Sequence, residues 1–200
     1  YCRIETDRIR MANRNLRCEF ARQDGRLRLT SLYNEFTAGE MVRRPEDIAL
    51  WLVEVGGQRY AGSSDFVCRD VTPTDGGAGF RATCVCDAIG LEAVWTATIG
   101  DSLQLSLNVV NRSGKPVDFK LAFPHFAGLS VSPEPVDDFY FFPKSLLVAD
   151  TPALVRQGYG DHQALYQVMD IFSPARGGGL SIRCLDSDGR YKVLALRKHL

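Results

Sequence analysis

The residues best suited to chemistry gather late in the chain. Residues 157–170 read Gln-Gly-Tyr-Gly-Asp-His-Gln-Ala-Leu-Tyr-Gln-Val-Met-Asp. They bring together Tyr159, Asp161, His162, Gln163, Tyr166, Gln167 and Asp170. Aromatic rings beside planar polar groups suit a sugar, which offers CH faces to rings and hydroxyl edges to hydrogen-bonding side chains. Tyr159, Asp161, His162, Gln163, Tyr166 and Asp170 are therefore the candidates for contact with carbohydrate or with another domain. The same stretch also reads as an ordered loop entering a strand, with Tyr166 and Met169 packed in a core.

Other chemistries find less support. A glycosidase needs two carboxyls facing each other across a sugar. Asp137-Asp138, Asp161 and Asp170 are available, but spacing along the chain does not establish facing, and each also reads as a turn or cap residue. There is no GxSxG elbow, and no Walker A or GxGxxG loop precedes a helix pattern. His125, His162 and His199 show no metal-ligand spacing. No catalytic residue, metal or cofactor is assigned. The six cysteines, Cys2, Cys18, Cys68, Cys84, Cys86 and Cys184, form no CxxC pair. They are expected to be buried, reduced thiols that pack as small hydrophobes. Cys84 and Cys86 are two apart, so on a strand they share a face.

The elements that must carry these residues follow a period of two. Leu16, Cys18 and Phe20 alternate with polar neighbours, Asp24-Gly25 supplies a turn, and Leu27 and Leu29 resume the pattern. Residues 48–55 form an apolar run that ends at Gly56-Gly57, as a strand covered on both sides would. Phe80–Cys86, Leu91–Ile99, Leu103–Val109 and Val117–Phe123 alternate again, with short turns between them. This is the signature of an antiparallel meander. Later strands are expected at Tyr166–Phe172, Leu180–Leu185 and Tyr191–Leu196. The last two should be joined as a hairpin by Asp186-Ser187-Asp188-Gly189. Glu35–Val42 is the best helical stretch, and it is short and contains Gly39. The expectation is an all-β, two-sheet antiparallel sandwich with little helix. It forms one domain over residues 1–200 with its core at about 10–197.

Charge narrows the partners. Lys+Arg and Asp+Glu are both 24, so no basic excess points to nucleic acid. The N-terminal arginines, among them Arg3, Arg8, Arg10 and Arg17, are interleaved with Glu5, Asp7 and Glu19 and read as a solvated strand face. No apolar run approaches the ~20 residues of a membrane span. The chain opens Tyr-Cys-Arg without Met or a signal-peptide core, which points to a missing or processed start. The compartment, cytoplasmic or secreted, stays unassigned.

The run Asn111-Arg112-Ser113-Gly114-Lys115-Pro116 between alternating strands, followed by Phe123-Pro124, resembles the galactose-mutarotase-like supersandwich. Three later stretches are more specific: Ala164–Asp170 after Tyr159, Gly179–Ile182, and Asp186–Lys192. With Leu16–Phe20, Gly25-Arg26-Leu27 and Ser31–Asn34, they look like the N-terminal β-supersandwich domain found ahead of a (β/α)8 barrel in several glycoside hydrolase families. The resemblance spans roughly residues 10–197. It implies a non-catalytic sandwich that supports a catalytic barrel of the same polypeptide, absent here, and that contacts carbohydrate. The chain would then be part of a larger multidomain protein. Two alternatives follow the same resemblance. One is a free-standing carbohydrate-binding module that uses Tyr159, Tyr166, Trp51 and Trp95. The other is a small aldose epimerase, whose His–Glu pair cannot be placed around His125.

Overall fold

One strand, Leu91–Ile99, shows how the core is built. Its inward row is Leu91, Ala93, Trp95, Ala97 and Ile99, and all five are buried. Alanine on either side of Trp95 leaves room for the indole. Cross-strand neighbours repeat the device: Trp95 stands opposite Ala82, and Ala97 opposite Phe80. Such large–small alternation lets two sheets interdigitate at native packing density.

The computed structural model describes residues 1–142, 145–147, 153–159, 167–185 and 192–198. It is all-β, in antiparallel sheets, as an all-β sandwich requires. Three short 3-10 turns, at Pro45–Asp47, Asp75–Gly77 and Pro135–Asp137, are the only helical turns among the described residues. Glu35–Val42 forms a turn and then a two-residue strand rather than a helix.

Contacts gather in two compact units, Tyr1–Glu35 with Val42–Leu129, and Phe36–Met41 with Ser130–Leu200. The first unit contains β1 (Cys2–Ile4), β2 (Arg8–Ala12), β3 (Leu16–Gln23) and β4 (Arg26–Asn34), paired in consecutive order. The second begins with β5 (Gly39–Glu40). The chain then returns to the first unit with β6 (Leu50–Val55), β7 (Gln58–Ala61), β8 (Val67–Pro73), β9 (Gly79–Cys86), β10 (Leu91–Ile99), β11 (Leu103–Asn111) and β12 (Lys120–His125). Of these, β11-β10-β9-β8 make one sheet and β12-β6-β7 another.

The turns are those the sequence announces. Asp24 and Gly25 both take positive φ, 52° and 69°, and so do Gly56 and Gly57, 58° and 85°. Two successive left-handed residues are what a tight hairpin needs.

Phe20 of β3 packs edge-on against Phe80 and Trp95, at 5.4 and 5.2 Å between ring centroids. Trp51 of β6 joins the cluster through Trp95 at 6.0 Å and Phe66 at 5.5 Å. Both indole N–H groups are buried with no acceptor among the described residues. Packing still wins. Burying roughly 200 Å² per indole at about 25 cal/mol/Å² gains about 5 kcal/mol, against about 1–3 kcal/mol for an unmade hydrogen bond. The run at 48–55 is less enclosed than its composition suggests. Trp51 and Val53 are fully buried, whereas Leu52 and Glu54 on the opposite face are only half-buried. Gly62 lies directly against Trp51, and a Cβ there would overlap the indole ring.

The cysteines are not all reduced thiols. Cys68 and Cys84 form a disulfide, because the β8–β9 register sets them directly opposite each other. Cross-strand proximity of this kind is invisible in chain spacing. In the chain-entropy view, closing a 16-residue separation contributes about 3 kcal/mol. Cys2, Cys18, Cys86 and Cys184 are free. Burial pushes the Cys18 thiol up to about 12.

In the second unit, β13 (Phe139–Phe142), β14 (Ser145–Leu147), β16 (Val168–Ser173) and β17 (Gly178–Arg183) form a sheet in the order β14-β13-β16-β17. β15 (Ala153–Tyr159) pairs with β18 (Lys192–Lys198). The expected hairpin between the last two strands is therefore corrected. β17 pairs with β16 and β18 with β15, because a turn-like Asp-Ser-Asp-Gly does not dictate which strands meet after it.

Two outcomes test this core. Trp95→Ala should cost about 3–5 kcal/mol and Gly62→Ala about 1–3 kcal/mol in urea unfolding. Alkylation of the unfolded, unreduced protein should label Cys2, Cys18, Cys86 and Cys184 and spare Cys68 and Cys84, as peptide mass mapping would read.

Candidate functional site

Register places Asp170, the acid of residues 157–170 that the structure describes, among aromatic rings. Asp170 lies on β16 opposite Ser181 of β17 and Phe141 of β13. Phe172, two residues on, lies opposite Gly179 and Phe139. Directly opposed residues share a face, and alternate residues return to it. Phe139, Phe141, Asp170, Phe172 and Ser181 therefore stand on one face of this sheet, and Gly179 leaves a gap in it. The Phe139 and Phe172 rings stack at 5.8 Å between centroids, inclined by 26°. All three phenylalanines are half-buried. A depression of about 470 Å³ is bounded by Asp170–Pro174 and Gly177–Ser181.

Glycine keeps this hairpin open. Gly177 takes φ 65° at the turn, and a side chain at Gly179 would run into the Ile171 carbonyl. Asp170 Oδ1 is shielded from solvent and has no hydrogen-bond partner among the described residues. An orphaned acceptor costs about 1–3 kcal/mol, more when charged, so it calls for a donor. The depression thus combines an acceptor, the Phe172 ring of the stacked pair and an exposed hydroxyl at Ser181. Among the described residues that line it there is no second carboxyl. The arrangement is suited to holding a polyol rather than to paired acid–base work.

The other candidates fall as follows. Tyr159 ends β15, opposite Lys192 in register. Asp161, His162, Gln163 and Tyr166 lie outside the described residues. Gln167 is half-buried, and its carbonyl accepts the Cys184 N–H at 2.9 Å. Trp51 and Trp95, named for a binding-module platform but set in apolar strand patterns that read as core, are the buried centre of the first unit. His125 is half-buried on β12, and burial lowers its imidazole pKa below the ordinary value. The N-terminal arginines are spent on carboxylates. Arg10 pairs with Glu19 at 2.8 Å, Arg17 with Glu35 at 2.6 Å, and Arg3 with Glu5 at 2.9 Å. The Arg8 guanidinium hydrogen-bonded to Asp7 holds that carboxyl below its ordinary value.

A buried polar cluster went unread in the sequence. Asp138 was taken for a loop residue, yet it is fully buried. Its Oδ2 accepts the Ser130 hydroxyl at 2.8 Å and the Val131 N–H at 2.9 Å, and its Oδ1 accepts the Ser132 N–H at 2.8 Å. Lys198, also buried, donates to the carbonyls of Val136 and Asp138 at 3.1 and 3.3 Å and lies 5.6 Å from the Tyr140 ring centroid. The signal was present in Ser130-Val131-Ser132, two hydroxyls and free amides a short loop away from an acid. This cluster is saturated and structural.

Among the described residues no group of His, Cys, Asp and Glu is placed to hold a metal ion. No helix among them is long and apolar enough to cross a membrane. Compared with family models, curated proteins and solved structures, the chain matches none.

Asp138→Asn would turn an amide N–H₂ toward groups that themselves donate. It should lower stability by about 3 kcal/mol in denaturant unfolding. Burial, with the Asp138 charge adding to it, raises the Tyr140 phenol to about 12 from 10.0. The folded state then holds its proton more tightly than the unfolded state. The stability this confers is present below pH 10 and lost as pH rises towards about 12, which an alkaline unfolding series would follow.

Proposed function

We propose that this chain is a non-catalytic β-sandwich portion of a carbohydrate-active enzyme of the glycoside hydrolase type. It supports a catalytic barrel of the same polypeptide and contacts carbohydrate through the Asp170 face. The observation that carries the reading is the orphaned Asp170 oxygen beside the stacked Phe139–Phe172 pair. A sugar hydroxyl supplies the missing donor, and its CH face covers half-buried aromatic surface. Charge-assisted bonds of this kind are the stronger ones, so a single well-placed carboxylate can fix a sugar's orientation. The all-β sandwich agrees with the fold that the resemblance implies, and the sugar-type side chains read from residues 157–170 end at Asp170 itself.

The test is calorimetric titration of the chain with a panel of oligosaccharides. Binding by at least one member is expected. Asp170→Ala should weaken it about 10-fold, a loss of about 1.4 kcal/mol, without lowering the melting temperature. Removal of an orphaned charge should if anything stabilise the fold. Silence across the panel, or binding indifferent to Asp170, would sink the proposal.

A further inference from the structure

Charge is distributed unevenly around the Asp170 depression. Its described lining runs over Asp170–Pro174 and Gly177–Ser181, and Asp170 is the one ionisable residue in it. The other polar groups of that lining are the Ser173 and Ser181 hydroxyls and the backbone. Arg183 shares the Asp170 face, two residues beyond Ser181 and opposite Val168. It is exposed and leaves Asp170 Oδ1 without a partner among the described residues. Arg176, in the turn, is also exposed and does not line the depression.

The shielded oxygen asks for a donor, and donors differ in charge. A neutral hydroxyl supplies the hydrogen bond alone. An ammonium supplies the bond together with the opposite charge. Where water is excluded, that added attraction is screened less. The Phe172 ring, half-buried at the same depression, favours the same group, because an aromatic face attracts cations. A second carboxylate brought beside Asp170 would be repelled. A bare divalent cation fits poorly, since it takes about six or more oxygen ligands and the lining offers one carboxylate.

We infer that the Asp170 depression selects amino sugars that carry a free ammonium group, over their N-acetylated and neutral counterparts and against uronic acids. The inference rests on the carbohydrate-binding reading above and adds to it the sign of the ligand's charge. In the bound arrangement the ammonium donates to Asp170 Oδ1. The CH face of the sugar ring lies on Phe172. The Ser181 hydroxyl, opposite Asp170 in register, takes a neighbouring sugar hydroxyl. N-acetylation removes the charge and all but one of the nitrogen's donors, and a uronic acid sets carboxylate against carboxylate.

Calorimetric titration of the full chain with four matched ligands reads the outcome: oligomers of glucosamine, N-acetylglucosamine, glucose and galacturonic acid. Glucosamine oligomers should bind about 10-fold more tightly than the N-acetylated and glucose oligomers. The galacturonic acid oligomers should bind most weakly. Asp170→Asn keeps the size and one acceptor oxygen but removes the charge. It should bring glucosamine down to the level of glucose without lowering the melting temperature. Neutral or acidic oligomers that bind as tightly as glucosamine overturn the selection and leave the carbohydrate reading standing. A glucosamine preference that survives Asp170→Asn overturns it as well. So does equal binding of ethylamine, which has the charge but no ring to cover Phe172. Silence from all four oligomers ends both this inference and the reading beneath it.

Discussion

The contact between Phe20, Phe80, Trp95 and Trp51 is the constraint on which the first unit depends. These rings come from β3, β9, β10 and β6, strands of three different sheets. Each sheet alone presents an apolar face it cannot leave in water, and the rings are where those faces meet. The geometry propagates outward. Two tryptophans on facing strands force alanine at Ala82, Ala93 and Ala97 and glycine at Gly62, because nothing larger fits beside an indole. The small residues have no independent reason to be where they are.

The second unit solves the same problem differently. Its described interior holds a carboxylate and an ammonium. Asp138 gathers the amides of Val131 and Ser132 and the Ser130 hydroxyl, and Lys198 caps two carbonyls beyond it. Polar clusters of this kind cost desolvation and return it only through directed bonds. They therefore fix a conformation where an apolar core would tolerate several. A loop of Ser, Pro, Glu and Val has little apolar surface to bury. Holding it by its backbone is the available means.

Period and turn chemistry made most of the strands legible. Leu16–Phe20, Phe80–Cys86 and Leu91–Ile99 each bury one face and Leu103–Val109 half-buries one, and that face writes itself into every second residue. Asp24-Gly25 and Gly56-Gly57 named their own hairpins. What could not be read were choices made across the chain. β15, at Ala153–Tyr159, carries no clear alternation of its own, and its partner β18 lies beyond local view. The Cys68–Cys84 bond and the Asp138 cluster are likewise products of register and long-range closure. The site was legible only at its end. Asp170 was picked for its company in sequence, whereas Phe139 reaches its face only through the β13–β16 pairing, which local pattern does not announce.

Asp138 and Asp170 show what an orphaned group means in this fold. Both acids belong to the same unit, and they sit on neighbouring strands or beside them. Around Asp138 the chain supplies three donors to two oxygens, so neither oxygen is left without one. The local chemistry for pairing a buried acid is therefore within this chain's means. At Asp170 it is withheld: the opposed residue is a serine exposed to solvent, the next is glycine, and the flanking rings offer no donor. Gly179 has no room for a side chain that would donate, so the penalty stays in place. A buried acceptor without a donor carries a desolvation cost that a donating ligand group would return. The contrast between the two acids is the reason Asp170, and not Asp138, carries the proposed sugar contact.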